Sequence, residues 1–177
     1  GAIHTQYWWV QPDGERIRVL PKHGNSGNIY TREVEKGTVK NSTLMIRRSC
    51  LLELSGILEH YRTSGDLDIV LRLAYRHGFG FVERPLVEVM ARPGSLSRDA
   101  PRNHTNRAEI LENLLTVFPD MDTTSRSATL RKAAKYYRKA ARGAAEDGER
   151  PRARELYRKA LSLHFSFRTL MGYLSAM

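Results

Sequence analysis

In the stretch TSGDLDIVLRLAYRHGFGFVERPLVEV, residues 63–89, the acids Asp66 and Asp68 with Arg72 beyond them are of types that can either take a proton from a substrate or hold a helix start. A carboxylate within hydrogen-bond reach of a hydroxyl removes its proton. The same carboxylate at a helix start caps free N–H groups and complements the helix dipole, a contribution of about 0.5–2 kcal/mol without any catalysis. Arg72 supports either the helix or a carboxylate. From the residues alone both readings of Asp66 stand open, and Asp68 takes the capping one. Other candidates are weaker. The histidines at 4, 23, 60, 77, 104 and 164 show no metal-ligand spacing, and no serine, nor Cys50, sits in a nucleophile elbow. Trp8 and Trp9 are adjacent, so on a strand they face opposite sides and read as packing residues.

The elements that must position these groups follow from periodicity. HTQYWWV and RIRVL are β-rich runs joined by QPDGE, a turn in which proline fixes one φ and glycine supplies a positive one, which predicts a hairpin. PKHGNSGN reads as a loop, IYTREVEKG as a short helix or irregular piece, STLMIRR as a strand, and Ser49–Leu54 as a short helix stopped at Gly56. Leu67, Val70, Leu71 and Ala74 recur at i, i+3, i+4 and i+7 and predict a helix that Gly78 ends. FGFVE and LVEVM, split at Arg84-Pro85, read as two strands or one broken strand. Asn106 with Glu109 predicts a capped helix start, with Leu111, Leu114, Leu115 and Phe118 as its apolar stripe. Beyond it, Leu130, Ala133, Ala134, Tyr137, Ala140 and Ala141, and then Ala153, Leu156, Tyr157, Ala160 and Leu161, line two amphipathic helices of a hairpin.

At 177 residues and 41% hydrophobic the chain buries a real core. One cysteine excludes an intramolecular disulfide and a cysteine-based zinc site. No apolar run approaches a membrane span and GAIHTQYWWV is not a signal peptide, so the chain is expected to be cytoplasmic, either soluble or peripheral at the inner face of the membrane without spanning it. The net charge of +10 is uneven: residues 1–125 hold 16 Lys/Arg against 15 Asp/Glu, and residues 126–177 hold 13 against 4. The shift follows FPDMDTTSRS, read as an internal boundary.

The stretch STLMIRRSCLLELSGILEHYRTSGDLDIVLRLAYRHGFGFVERPLVEVMARPGSLSRD resembles the C-terminal, acceptor-side half of the catalytic domain of family 2 glycosyltransferases, inverting enzymes of GT-A fold. The likeness lies in the order of a strand ending in IRR, a short helix to a glycine, an acid heading a helix of the type DxxLxLRLA, and a PL strand. It covers residues 42–97. It implies an α/β fold, the C-terminal half of a Rossmann-like GT-A domain over residues 1–100, followed by an α-helical hairpin extension over 101–177. It also implies transfer of a sugar from a nucleotide-sugar donor to a glycan or lipid-linked acceptor hydroxyl with inversion. Asp66 would be the base, and Arg72 and Arg92 the substrate-binding residues. The chain departs from the pattern where Gly65 replaces an acid, where Ser55-Gly56-Ile57-Leu58-Glu59 replaces an acidic segment, and where Met90 and Arg92 replace an arginine and a histidine. A divalent metal, Mg or Mn, is expected for a complete enzyme, but no ligating motif is identified here. Asp66-Leu67-Asp68 and Asp120-Met121-Asp122 both spell Asp-x-Asp, and neither is assigned to metal. The donor-binding half is expected in a missing N-terminal segment or another chain, with this chain a fragment or truncated relative, and the sheet is expected to be incomplete along one edge.

The basic tail offers a second class of function, a noncatalytic helical module binding a protein partner, an anionic membrane surface or nucleic acid through Arg131, Lys135, Arg138 and Arg142. Nucleic acid is disfavoured, because the tail's aromatics fall on its apolar stripe and not among the basic residues.

Overall fold

In the computed structural model, which describes residues 1–58, 61, 63–90 and 100–177, the protein is mixed α/β. It divides into two compact units, Gly1–His60 with Gly65–Leu96, and Tyr61–Ser64 with Ser97–Met177.

Unit 1 is built on β1, Ala2–Val10, the central strand of a mixed four-stranded sheet. The QPDGE turn folds β2, Arg16–Leu20, back antiparallel, with Tyr7 opposite Leu20. Gly14 takes φ +91, and Asp13 accepts from the Glu15 N–H. The STLMIRR run yields only a 3-10 turn, Asn41–Thr43, and a two-residue β3, Met45–Ile46, antiparallel to the start of β1. On the other side β4, Phe79–Met90, runs parallel to β1.

β4 is one strand, not two. The pairing jumps from Thr5↔Val82 to Gln6↔Pro85, so a bulge absorbs the proline that has no N–H to give. The outer edge of β4 meets Gly27 and the Ser26 hydroxyl at its start, and no described strand pairs with the rest. Arg16 lies 5.5 Å above the Trp8 ring and reaches across β1 to Glu88, so Trp8 packs on the sheet surface.

Three helices complete unit 1: α1, Tyr30–Lys36, α2, Arg48–Glu53, and α3, Gly65–Arg76. Val70, Leu71 and Ala74, on the apolar face read from the sequence, are buried with Ile69 and Leu73, and Tyr30 meets Tyr75 edge-on at 5.1 Å. Buried polar groups hold the irregular segments. Glu33 accepts from the Thr38 N–H and hydroxyl and the Val39 N–H, pinning the chain after the left-handed Gly37. His4 is buried between Phe79 and Phe81 with Nε2 3.3 Å from the Asn25 carbonyl, and burial pushes its pKa down.

Unit 2 is helical: α4, Ala100–Val117, α5, Thr123–Glu146, α6, Arg150–Leu163, and α7, Phe167–Ser175. α4 starts six residues before the expected cap. Asn106 is inside it and donates to the Thr63 hydroxyl at 2.5 Å, while Pro101 sits in the first turn, where its missing N–H costs nothing. FPDMDTTSRS is a turn within unit 2 and the start of α5, so the charge shift marks no structural boundary. The seam of α5 and α6 is made of alanines, Ala134, Ala140, Ala141, Ala153 and Ala160 among them, which bring the helices close around Tyr137 and Tyr157. Tyr137 donates to Glu112 of α4, and Lys159 of α6 pairs with the same carboxylate at 2.9 Å while lying 4.8 Å over the Tyr137 ring. Burial and that carboxylate raise the Tyr137 pKa steeply. Among the described residues no helix is long and apolar enough to cross a membrane.

Candidate functional site

The residues with candidate chemistry sit on the first two turns of α3. Ser64 enters the helix at φ +64, and Gly65 is its first residue. Asp66 follows with an exposed side chain, its Oδ1 accepting the Leu67 N–H at 2.9 Å. It combines a helix N-terminal position with an accessible carboxylate, so both the cap and the base geometry are available to it.

Asp68, two residues on, points the other way. It is fully buried, and its Oδ2 accepts from Arg72 Nε at 2.8 Å and Nη2 at 2.6 Å. The capping reading of Asp68 therefore gives way to a buried ion pair at i, i+4. Two residues along a helix turn a side chain by about 200°, which carries the second acid from solvent into the interior.

Arg72 is only 3% exposed. Beyond Asp68, its Nη1 donates to the Leu54 carbonyl at 2.5 Å and its Nη2 to the Gly56 carbonyl at 2.8 Å. Of the two parts read for it, substrate contact and support, the geometry displays support: one planar guanidinium ties α3 to the turn that ends α2. That turn carries Ser55 at φ +59 and Gly56 at φ +75, and its N–H groups return to Leu52 and Leu51 while Arg72 takes up its carbonyls. Arg72 is thus a positioning residue for the helix that presents Asp66. Arg92 falls outside the described residues, as does Glu59. Met90 ends β4 and is exposed.

The expected divalent metal finds no fitting set: among the described residues no three His, Cys, Asp or Glu groups come together. Asp68 is engaged by Arg72, and Asp122 of the second Asp-x-Asp is the N-cap of α5, accepting the Ser125 N–H at 3.0 Å. Hydrogen bonding from the Ser125 side chain, and then from its N–H, holds the Asp122 carboxyl below its ordinary value.

A cavity of about 480 Å³ opens in unit 1 against Ile3, Met45, Ile46, Arg47, Phe79 and Gly80, where β3 meets β1 and the start of β4. Asp66 is not among its lining residues. Sequence reasoning missed it because it arises from pairing three strands distant in the chain. No family model matches this chain, and no curated protein or solved structure does.

Proposed function

We propose that the chain is the acceptor-side part of an inverting glycosyltransferase in which Asp66 is the general base. In a complete enzyme Asp66 takes the proton of the acceptor hydroxyl as that oxygen forms its bond to the anomeric carbon of the donor sugar. The bond to the nucleoside diphosphate breaks on the opposite face, and the diphosphate leaves with the electron pair. What supports this reading is the likeness of residues 42–97 to that family together with one observation: of the two acids at the head of α3, Asp66 alone is exposed. The Arg72 fork holds the helix beneath it, so the carboxylate is presented from a fixed platform, as general-base catalysis requires. Positioned base catalysis is worth roughly 10²–10⁴ in rate.

The test is sugar transfer by a complete protein containing this chain, with Asp66→Asn against the parent. The expected result is a fall of at least about 100-fold in kcat with KM for the donor unchanged. An unchanged kcat removes Asp66 from the reaction.

A further inference from the structure

A second cavity, about 180 Å³, lies wholly within unit 2 where α5 meets the joint between α6 and α7. Arg131, Lys135 and Arg138 line it from α5, and His164, Ser166 and Thr169 from the joint. The three α5 residues stand at i, i+4 and i+7, one face of a helix, so their charges converge on one opening. Arg142, next along that face, is taken by Glu146 at 2.7 Å, whereas no described carboxylate pairs with Lys135 or Arg138. No acid occurs from Arg126 to Ala145 or from Leu156 to Met177, so little in the neighbouring sequence offsets the positive charge.

The joint adds donors of another kind. Ser166 precedes α7 in an extended conformation, and its hydroxyl makes no capping bond to the helix it begins. The N–H groups of Thr169 and Leu170 return to the Ser166 carbonyl, which fixes the start of α7. Thr169 is buried at the cavity wall. Three cations with the Ser166 and Thr169 hydroxyls at one opening suit a compact, multiply charged oxyanion, and the planar arginine forks suit tetrahedral oxygens. The volume is well under the roughly 300 Å³ at which pockets begin to enclose drug-sized ligands, so it fits a phosphate group better than a whole nucleotide.

We propose that this cavity is a binding site for a phosphate monoester. The apolar residues around the joint bear on the source of that phosphate. Phe165, Phe167, Met171 and Leu174 are all exposed, and the last three fall at i, i+4 and i+7 on the face of α7 opposite buried Thr169 and Ala176. The stripe lies on the same short helix whose other face borders the cavity, so acyl chains of a phosphorylated lipid have an apolar surface to meet beside it, whereas a free phosphorylated metabolite leaves the stripe unused.

Calorimetric titration of the purified chain with inorganic phosphate at low salt is expected to give saturable, one-site binding. Lys135→Gln with Arg138→Gln weakens it at least 10-fold, and Arg152→Gln with Arg158→Gln, outside the cavity, leaves it within two-fold. Circular dichroism on each variant confirms the helices. In a second arm, flotation with phosphatidylcholine vesicles containing phosphatidic acid, the same cavity pair abolishes capture. Phe167→Ser with Met171→Ser reduces capture while sparing inorganic phosphate if the source is a lipid, and changes neither if it is a soluble ester; the site stands in both cases. Absence of binding in both arms, or equal loss from the two charge pairs, overturns the proposal, the latter because it means diffuse charge and not a site.

Discussion

The two units solve the same problem, holding helices and turns in place, with opposite chemistry. Unit 1 does it with buried charge and polar side chains: Arg72 joins Asp68, Leu54 and Gly56, Glu33 gathers three donors, and His4 sits neutral between phenylalanines. Unit 2 does it with small apolar residues, alanines that let α5 and α6 approach around two tyrosines. Polar hubs shape irregular backbone, because each donor is aimed at one carbonyl, and irregular backbone is what brings an acid to a helix start in an exposed position. Alanine seams fix helices side by side and leave their outer faces at liberty to collect charge, as the α5 face does.

Chain-wide probes happen to separate the units. Both tryptophans, Trp8 and Trp9, lie in unit 1, and most of the helix lies in unit 2. The largest expected effect is on the hub: Arg72→Met strands a buried carboxylate and costs roughly 3–5 kcal/mol. It should lower the tryptophan-detected urea midpoint while the circular dichroism transition of unit 2 stays, and Arg72→Met with Asp68→Leu should recover most of the loss. A single shared transition for both probes would erase the distinction between the units. Next, Ala141→Leu overpacks the seam at a fully buried position and should cost about 1–3 kcal/mol, read in circular dichroism and not in tryptophan fluorescence.

Smaller effects depend on pH. His4 has a folded pKa below its ordinary 6.5, so the unfolded chain binds its proton first. Its contribution to stability is complete above pH 6.5 and is lost as pH falls from there through the lower folded value. The tryptophan midpoint should drop over that window, and His4→Gln should flatten the drop. Asp122 is likewise depressed from 3.8, so its cap favours unit 2 above that pH and fades as pH falls below it. Asp122→Ala should lower the helix midpoint at pH 7 and lower it progressively less as pH falls below 3.8.

Unit 2 was the more legible in sequence, because a 3.6-residue apolar repeat is written locally: Ala133, Ala134, Tyr137, Ala140 and Ala141 were read as one face and are buried. Its last helix escaped, since Phe165 to Leu174 carries exposed aromatics and no cap signature. In unit 1 the hairpin and α3 were readable from QPDGE and from Val70, Leu71 and Ala74. The parallel pairing of β1 with β4 was not, because it joins residues some eighty positions apart, and Pro85 looked like a break when a bulge accommodates it. At the candidate site, the spacing that lets Asp68 reach Arg72 was visible, but two acids one residue apart look alike until burial separates them. Only the fold tells which faces water.

That separation is the claim most open to direct measurement. In a complete protein containing this chain, the sugar-transfer rate per folded molecule should be determined for Asp66→Asn beside Asp68→Asn, with the folded fraction taken from tryptophan fluorescence. Asp66→Asn should fold as the parent does and transfer at least about 100-fold more slowly, while Asp68→Asn should lose stability and keep its rate per folded molecule. A full rate for Asp66→Asn, or equal rate losses in the two variants, would contradict that claim.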